Sequence, residues 1–157
     1  MFDEEARIES RDVVRVAHRL RYNLSKSRYN HKAKISIITL GELTYIALRE
    51  NYPKLIDELN NFKNDMGERL EFLFVPRLFN NNYRNFVDVL DKLLSCDYRL
   101  REEPVDALIL TFAVLDKEAD VFYTTTLHIL RSIRLKETIN SIREECGFKK
   151  LNIKPLS

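Results

Sequence analysis

Residues 105–126 read VDALILTFAVLDKEADVFYTTT, and this stretch decides the fold class. Its first half is apolar on most sides and follows Pro104, a residue that suits the first turn of a helix. The stretch therefore predicts a well-buried helix over residues 105–117. The β-branched and aromatic residues at 121–123 then predict a short strand, which ends in three consecutive threonines.

The same alternation of helices and strands extends through the rest of the chain. Further strands are expected at residues 34–40 (KISIITL), at residues 71–75 (EFLFV) and, as an edge strand, at residues 148–153 (FKKLNI). The expected helices cover residues 3–24, 41–50, 53–65, a segment with Phe86, Val87, Leu90, Leu93 and Leu94, a short segment near Leu127 and a charged segment to about residue 146. Strands that alternate with helices predict an α/β fold with a short, mostly parallel sheet between helical layers.

Length and composition favour a single domain over residues 1–157, with an amphipathic basic helix in residues 1–30 and an α/β body in residues 34–154. Cys96 and Cys146 form no CxxC pair, and with three scattered histidines they give no zinc-site spacing. We therefore expect reduced cysteines and a cytoplasmic protein. The sequence contains no apolar run long enough for a membrane span, and no membrane partner is expected.

Three polar patterns follow or precede buried elements and are candidates for chemistry. Glu42 lies in TLGEL after the first strand of the body, Asp106 begins the apolar helix, and Thr126 closes the TTT segment. In a parallel α/β sheet the carboxyl ends of strands and the starts of the next helices share one edge, where ligands bind. Glu42, Asp106 and the threonines are therefore expected to converge.

In order and spacing, SIITLGEL (residues 36–43) and VDALILTFAVLDKEADVFYTTT resemble the PIN domain family, which includes VapC-type toxins and other small ribonucleases. The resemblance runs from about residue 35 to residue 153. It implies a three-layer αβα fold and an acidic site for Mg²⁺ or Mn²⁺, at which a metal-activated water attacks an RNA phosphodiester. By motif, Glu42 and Asp106 match two of the metal-binding acids, and Thr126 occupies a catalytic position that commonly holds Asp.

Two departures from the family pattern bear on activity. The apolar strand ending in Asp that normally opens the family and sits centrally in its sheet is missing, and Thr126 brings no negative charge. Either the sequence begins downstream of that strand, or the protein is a degenerate relative that binds RNA or a protein partner without cutting. Strands 34–40 and 121–123 also need a strand between them, so their presence in different sheets would overturn the PIN-like assignment.

Each candidate residue also has a purely structural interpretation. Thr39 and Glu42 have the spacing of a capping box, and Asp106 is a favourable first-turn acid for the helix dipole. Thr124 or Thr126 could cap the helix near Leu127. The structural and the functional interpretations both stay open at this point.

The basic first helix is a candidate surface for nucleic acid. It carries a row of arginines four residues apart, namely Arg7, Arg11, Arg15 and Arg19. This row could bind RNA phosphates. It could also be an ordinary solvated face whose charges pair with Glu4, Glu5 and Asp12. Because PIN relatives often dimerise, this helix or the one over residues 83–94 could form a homodimer contact. A toxin of a toxin–antitoxin pair, with an antitoxin as partner, is a further functional hypothesis.

Overall fold

The computed structural model describes Tyr22 and residues 31–49, 54–73 and 83–155. The mixed α/β class is confirmed, whereas most of the predicted first helix, with its arginine row, lies outside the described residues. The elements in chain order are β1 (Ala33–Ser36), α1 (Ile37–Arg49), α2 (Lys54–Met66), a 3₁₀ turn (Gly67–Arg69), β2 (Leu70–Leu73), α3 (Tyr83–Cys96), α4 (Arg99–Glu102), α5 (Pro104–Leu115), β3 (Val121–Thr124), α6 (Leu127–Arg131), α7 (Ile133–Glu145) and β4 (Asn152–Pro155).

The four described strands form two separate pairs. β1 pairs with β2, and β3 pairs with β4. The second pair is parallel, with Val121 opposite Asn152 and Thr124 opposite Pro155, and helices α6 and α7 provide the crossover that parallel strands require. Strands β1 and β3 thus lie in different sheets among the described residues, and this arrangement departs from the single sheet that the PIN-like resemblance implies.

The chain divides into two compact units. One contains Thr44–Glu71, and its helix α2 buries Met66 before Gly67 adopts a left-handed backbone with φ of 53°. The other contains Ile35–Leu43 and Phe72–Pro155, and therefore the start of α1 together with helices α3 to α7 and the β3–β4 pair. All three candidate site residues belong to this second unit.

Helix α5 lies in the core of the second unit and packs against α3, α4 and α7. The prediction that this helix is well buried is confirmed, because Ala107, Leu110 and Val114 are fully inaccessible to solvent. Phe112 meets Phe86 of α3 edge to face, with ring centroids 5.5 Å apart. The core residues of this unit are Val89, Leu93, Leu100, Ala107, Leu110, Val114, Ile129, Leu135, Ile139, Ile142 and Leu151.

Helix α1 begins four residues earlier than the sequence predicted. Ser36 ends β1, and its Oγ accepts a hydrogen bond from the backbone N–H of Thr39 at 3.0 Å and contacts the Thr39 hydroxyl at 2.8 Å. This contact gives the free amides of the first turn an acceptor. The predicted strand over residues 34–40 is therefore half strand and half helix, because capping by Ser36 outweighs the β-branched propensity of the residues that follow.

Helix α7 ends in a Schellman turn at Gly147. The N–H of Gly147 donates to the carbonyl of Glu144 at 2.9 Å, and the N–H of Phe148 donates to the carbonyl of Arg143 at 2.8 Å. Gly147 has φ of 71°, a conformation that glycine adopts without a steric cost. The turn occupies part of the segment that the sequence predicted as a strand, so β4 begins only at Asn152.

A fully buried arginine donates hydrogen bonds to the carboxyl-terminal end of α5. The Arg143 guanidinium, from α7, donates to the carbonyls of Ala113 at 3.2 Å and Val114 at 3.0 Å, in the last turn of α5. It also donates to the backbone carbonyls of Asp116 at 2.9 Å, of Ala119 at 2.7 Å and of Lys149. Burial lowers the pKa of Arg143, while the charges of Asp116 and Asp120 oppose that shift. One side chain thus supplies donors to helix carbonyls that have no amide partner within the helix.

Candidate functional site

Asp106 and Thr126 meet where helix α5 begins and strand β3 ends. Pro104 is the first residue of α5, which places Asp106 in its first turn, and Thr126 lies two residues beyond β3. The Thr126 hydroxyl donates a hydrogen bond of 2.9 Å to Asp106 Oδ2. Both side chains are partly buried, so this contact joins residues that are twenty positions apart in the sequence.

The threonine segment holds Thr126 in this position through its own turn. The hydroxyl of Thr124 accepts a hydrogen bond of 3.0 Å from the Thr126 N–H, and the Thr126 carbonyl accepts from the N–H of Leu130 at 3.2 Å. Thr126 occupies the N-cap position of α6, but its side chain accepts no capping hydrogen bond. The prediction that the Thr126 side chain caps this helix is therefore wrong, because the hydroxyl is directed to Asp106 instead.

Glu42 lies in the second turn of α1, where it is exposed. Partial desolvation, and then the negative charge of Asp106, raise the pKa of the Glu42 carboxyl above its usual value. The capping-box interpretation of Glu42 is wrong, because Thr39 is inside the helix and donates its own N–H to Ser36. The structure thus brings Asp106 and Thr126 into contact, whereas the roles of Glu42, Asp106 and Thr126 in metal binding and catalysis stay predictions.

Two residues beside this site were missed by the sequence analysis. Glu103 is the N-cap residue of α5, and its Oε2 lies 3.5 Å from Nδ1 of His128, in α6. Partial desolvation, and then a hydrogen bond from the protonated Glu103 carboxyl to Asp106, raise the pKa of Glu103, while the charge of His128 opposes the shift. Glu103 precedes Asp106 by three residues, a spacing that places both side chains on one face of a helix start and could have revealed the pair.

Asp106 influences the ionisation of Glu42 and of Glu103. The raised pKa values of Glu42 and Glu103 have a shared cause beyond desolvation, which is the negative charge of Asp106. Bringing carboxylates together in this way is unfavourable unless a proton or a cation lies between them. The negative charge of Asp106 therefore makes ionisation of both glutamates less favourable.

The predicted donor set for a divalent cation consists of Glu42 and Asp106. Glu42 and Asp106 offer carboxylate oxygens, and Mg²⁺ is commonly bound through one or two carboxylates while it keeps several waters. Within the described ranges, no group of three or more His, Cys, Asp or Glu side chains is already placed to hold a metal ion. A cation here would rely on retained waters for most of its ligands, and its binding by Glu42 and Asp106 stays a prediction.

Comparisons with known proteins add no assignment to this geometry. No family model matches the chain, and no curated protein or solved structure matches it significantly. None of the helices in the described part of the chain is long and apolar enough to cross a membrane. The candidate nucleic-acid residues Arg7, Arg11, Arg15 and Arg19 lie outside the described residues.

Proposed function

We propose that this chain binds Mg²⁺ or Mn²⁺ at Glu42 and Asp106 and cleaves RNA phosphodiesters, as its resemblance to PIN-type ribonucleases implies. The observation that carries the proposal is the 2.9 Å hydrogen bond between Thr126 and Asp106, with Glu42 near enough to be influenced by the Asp106 charge. These residues are the ones that the resemblance selects from three distant parts of the sequence. The contact between Asp106 and Thr126, and the effect of the Asp106 charge on Glu42, support a shared site.

Each of the three residues has a distinct part in this proposal. The Thr126 hydroxyl donates to one oxygen of Asp106 and thereby orients the carboxylate. Glu42 supplies a second carboxylate from a different helix. A bound divalent cation would activate a water and stabilise negative charge on the phosphodiester. RNA as substrate, an antitoxin or other protein partner, a homodimer and a cytoplasmic location belong to the same proposal.

A second candidate function is a protein that keeps the fold and binds RNA or a protein partner without cutting. Two observations favour it: the position that commonly holds Asp in the family is the uncharged Thr126, and strands β1 and β3 lie in separate sheets among the described residues. Fewer negative charges weaken the affinity for a divalent cation. This candidate predicts binding of a partner that is indifferent to divalent metal.

The two candidates are separated by a cleavage assay on fluorescently labelled single-stranded RNA. The wild-type chain is incubated with Mn²⁺, with Mg²⁺ or with a chelator, beside Asp106→Asn and the control Glu102→Gln, which neutralises an exposed acid in α4. The nuclease proposal predicts metal-dependent cleavage by the wild type and by the control, with a loss of at least about a hundredfold in Asp106→Asn. Cleavage that is equal in Asp106→Asn, or absent from the wild type with either metal, would overturn it.

A further inference from the structure

Helix α1 presents an exposed aromatic side chain with a guanidinium stacked against it. Tyr45 is 62% exposed, and the Cζ atom of Arg49 lies 5.7 Å from the centroid of its ring. The two residues are four positions apart, a spacing that brings side chains together on one side of a helix. Leu48, three residues after Tyr45, is 71% exposed. We call Tyr45, Leu48 and Arg49 the α1 face.

The α1 face has the chemistry of a surface for single-stranded nucleic acid. An unpaired base stacks on a planar aromatic ring or on the plane of an arginine guanidinium, and Tyr45 and Arg49 offer both planes side by side. An arginine can also donate to the phosphate next to the stacked base. A ligand that covers Tyr45 and Leu48 removes two large apolar side chains from water, which is favourable.

The charge of the chain that leads into α1 favours an anionic ligand. Residues 13–41 contain seven Lys or Arg and no Asp or Glu, and α1 begins at Ile37. Positive charge concentrated in this way attracts the phosphate backbone of a nucleic acid, whatever its sequence. Glu42 lies one helical turn before Tyr45 in α1, and it is a residue at which the proposed function predicts a cation.

We propose that the α1 face binds single-stranded RNA, with Tyr45 stacking an unpaired base and Arg49 contacting a neighbouring phosphate. This inference rests on the proposed function for the identity of its ligand, because it names residues that bind the RNA of that function. The contacts themselves need no metal ion, since stacking and phosphate binding are made by the side chains alone. RNA binding in a chelator therefore tests the α1 face, whereas cleavage with a metal tests the site at Glu42 and Asp106.

The first test is fluorescence anisotropy of a labelled oligouridylate with the full chain in a chelator. We expect Tyr45→Ala to weaken binding about fivefold or more, the effect of losing one stacked base. Tyr45→Phe should stay within about twofold of the wild type, because it keeps the aromatic ring. Since Tyr45 is largely exposed, both variants should melt close to the wild type, which thermal unfolding checks. Binding by Tyr45→Ala that equals the wild type would overturn the inference.

The matched control is Tyr98→Ala, which removes a similarly exposed tyrosine from another stack. Tyr98 is 68% exposed, and the Cζ atom of Arg99 lies 5.8 Å from its ring centroid. An aspartate precedes this stack at position 97, and two glutamates follow at positions 102 and 103, so acids adjoin it in the sequence. We expect Tyr98→Ala to bind the oligouridylate within about twofold of the wild type. Equal losses in Tyr45→Ala and Tyr98→Ala would show no preference for the α1 face and would overturn the inference.

The second test separates the phosphate contact from the stacking contact. We expect Arg49→Ala to reduce the slope of log Kd against the logarithm of the salt concentration by about 0.7, because one phosphate contact of a single strand is lost. Tyr45→Ala should leave this slope unchanged. A double-stranded RNA offers no unpaired base, so Tyr45→Ala should bind it like the wild type. An unchanged slope in Arg49→Ala would overturn its role, and an equal loss on the duplex in Tyr45→Ala would overturn stacking.

The outcomes for the two proposals differ. If the wild-type chain binds no oligouridylate in the chelator, the inference is overturned, whether or not the chain cleaves RNA with Mn²⁺. If Tyr45→Ala loses binding while the wild type cleaves no RNA with either metal, the nuclease proposal fails and the α1 face belongs to the second candidate function, RNA binding without cleavage.

Discussion

Replacing Arg143 by methionine tests how the end of α5 is held. The guanidinium is completely buried and donates to five backbone carbonyls, of which those of Ala113 and Val114 belong to the last turn of α5. Methionine keeps an apolar stem of similar length but supplies no donor. The substitution therefore removes the hydrogen bonds and the charge and leaves most of the packing in place.

The expected loss in the free energy of unfolding follows from the carbonyl groups that lose their hydrogen-bond donor. The two carbonyls in the last turn of α5 each cost about 1–3 kcal/mol when they are buried without a partner. The carbonyl of Asp116 keeps a second donor, the N–H of Ala119 at 3.1 Å, so it contributes less. Removal of a buried cation recovers part of its desolvation cost, which offsets some of this loss. We expect Arg143→Met to lower the free energy of unfolding by about 3–5 kcal/mol, a large part of the usual 5–15 kcal/mol of a domain.

Urea unfolding monitored by circular dichroism gives this free energy directly. The matched control is Arg134→Met, which removes an exposed arginine from the same helix and should change stability by less than about 1 kcal/mol. Arg143→Lys should fall between the two, because lysine keeps the charge but cannot reach as many carbonyls. A loss below about 1 kcal/mol in Arg143→Met would refute the assignment of Arg143 as the group that satisfies this end of α5.

Three further predictions concern the site and the turn after α7. Thr126→Asp places a second carboxylate against Asp106, so it should lower the melting temperature of the metal-free protein. In calorimetry it should raise the Mn²⁺ affinity about tenfold, or about 1.4 kcal/mol, and an unchanged affinity would contradict this. The pKa of Glu42 is raised in the folded state, so its contribution to stability is full at low pH and is lost as the pH rises through that value. Near pH 7, the free energy of unfolding of Glu42→Gln should therefore exceed that of the wild type by up to about 1 kcal/mol, and near pH 3.5 the two should be equal. Melting curves at both pH values test this, and a stabilisation seen only at pH 3.5 would contradict the raised pKa. Gly147→Ala forces a side chain into the left-handed region and should cost about 1 kcal/mol in urea unfolding, with no change in Mn²⁺ binding.

The sequence predicted the kinds of elements better than their boundaries. The apolar residues of α5 predict a buried helix, because they occupy all of its faces. The parallel strand β3 follows at the predicted residues. In α3, the predicted apolar stripe included Val87, which is 44% exposed, whereas Val89 is buried in its place. A helix with apolar residues on several sides has more than one possible inward face, and only the neighbouring helices decide between them.

The site was predictable where the topology of an α/β fold forces residues together. Asp106 and Thr126 lie at a helix start and a strand end, so their contact follows from the general rule for such edges. The contacts of Glu103 and Arg143, in contrast, join residues that are distant in the sequence and could not be predicted from it. A glutamate before a proline and an arginine in a charged helix look like ordinary solvated residues until their partners, His128 and the carbonyls at the end of α5, are in place.

The central claim is that the carboxylate held by Thr126 belongs to a divalent-cation site. Its most direct test is a calorimetric titration of Mn²⁺ into the wild-type chain and into Asp106→Asn, which keeps an oxygen that can accept from Thr126. We predict one site of micromolar affinity in the wild type and its loss in Asp106→Asn, with both proteins unfolding at similar temperatures. Absence of binding to either protein, or equal binding to both, would contradict the claim and would leave Asp106 and Thr126 as a structural link between α5 and β3.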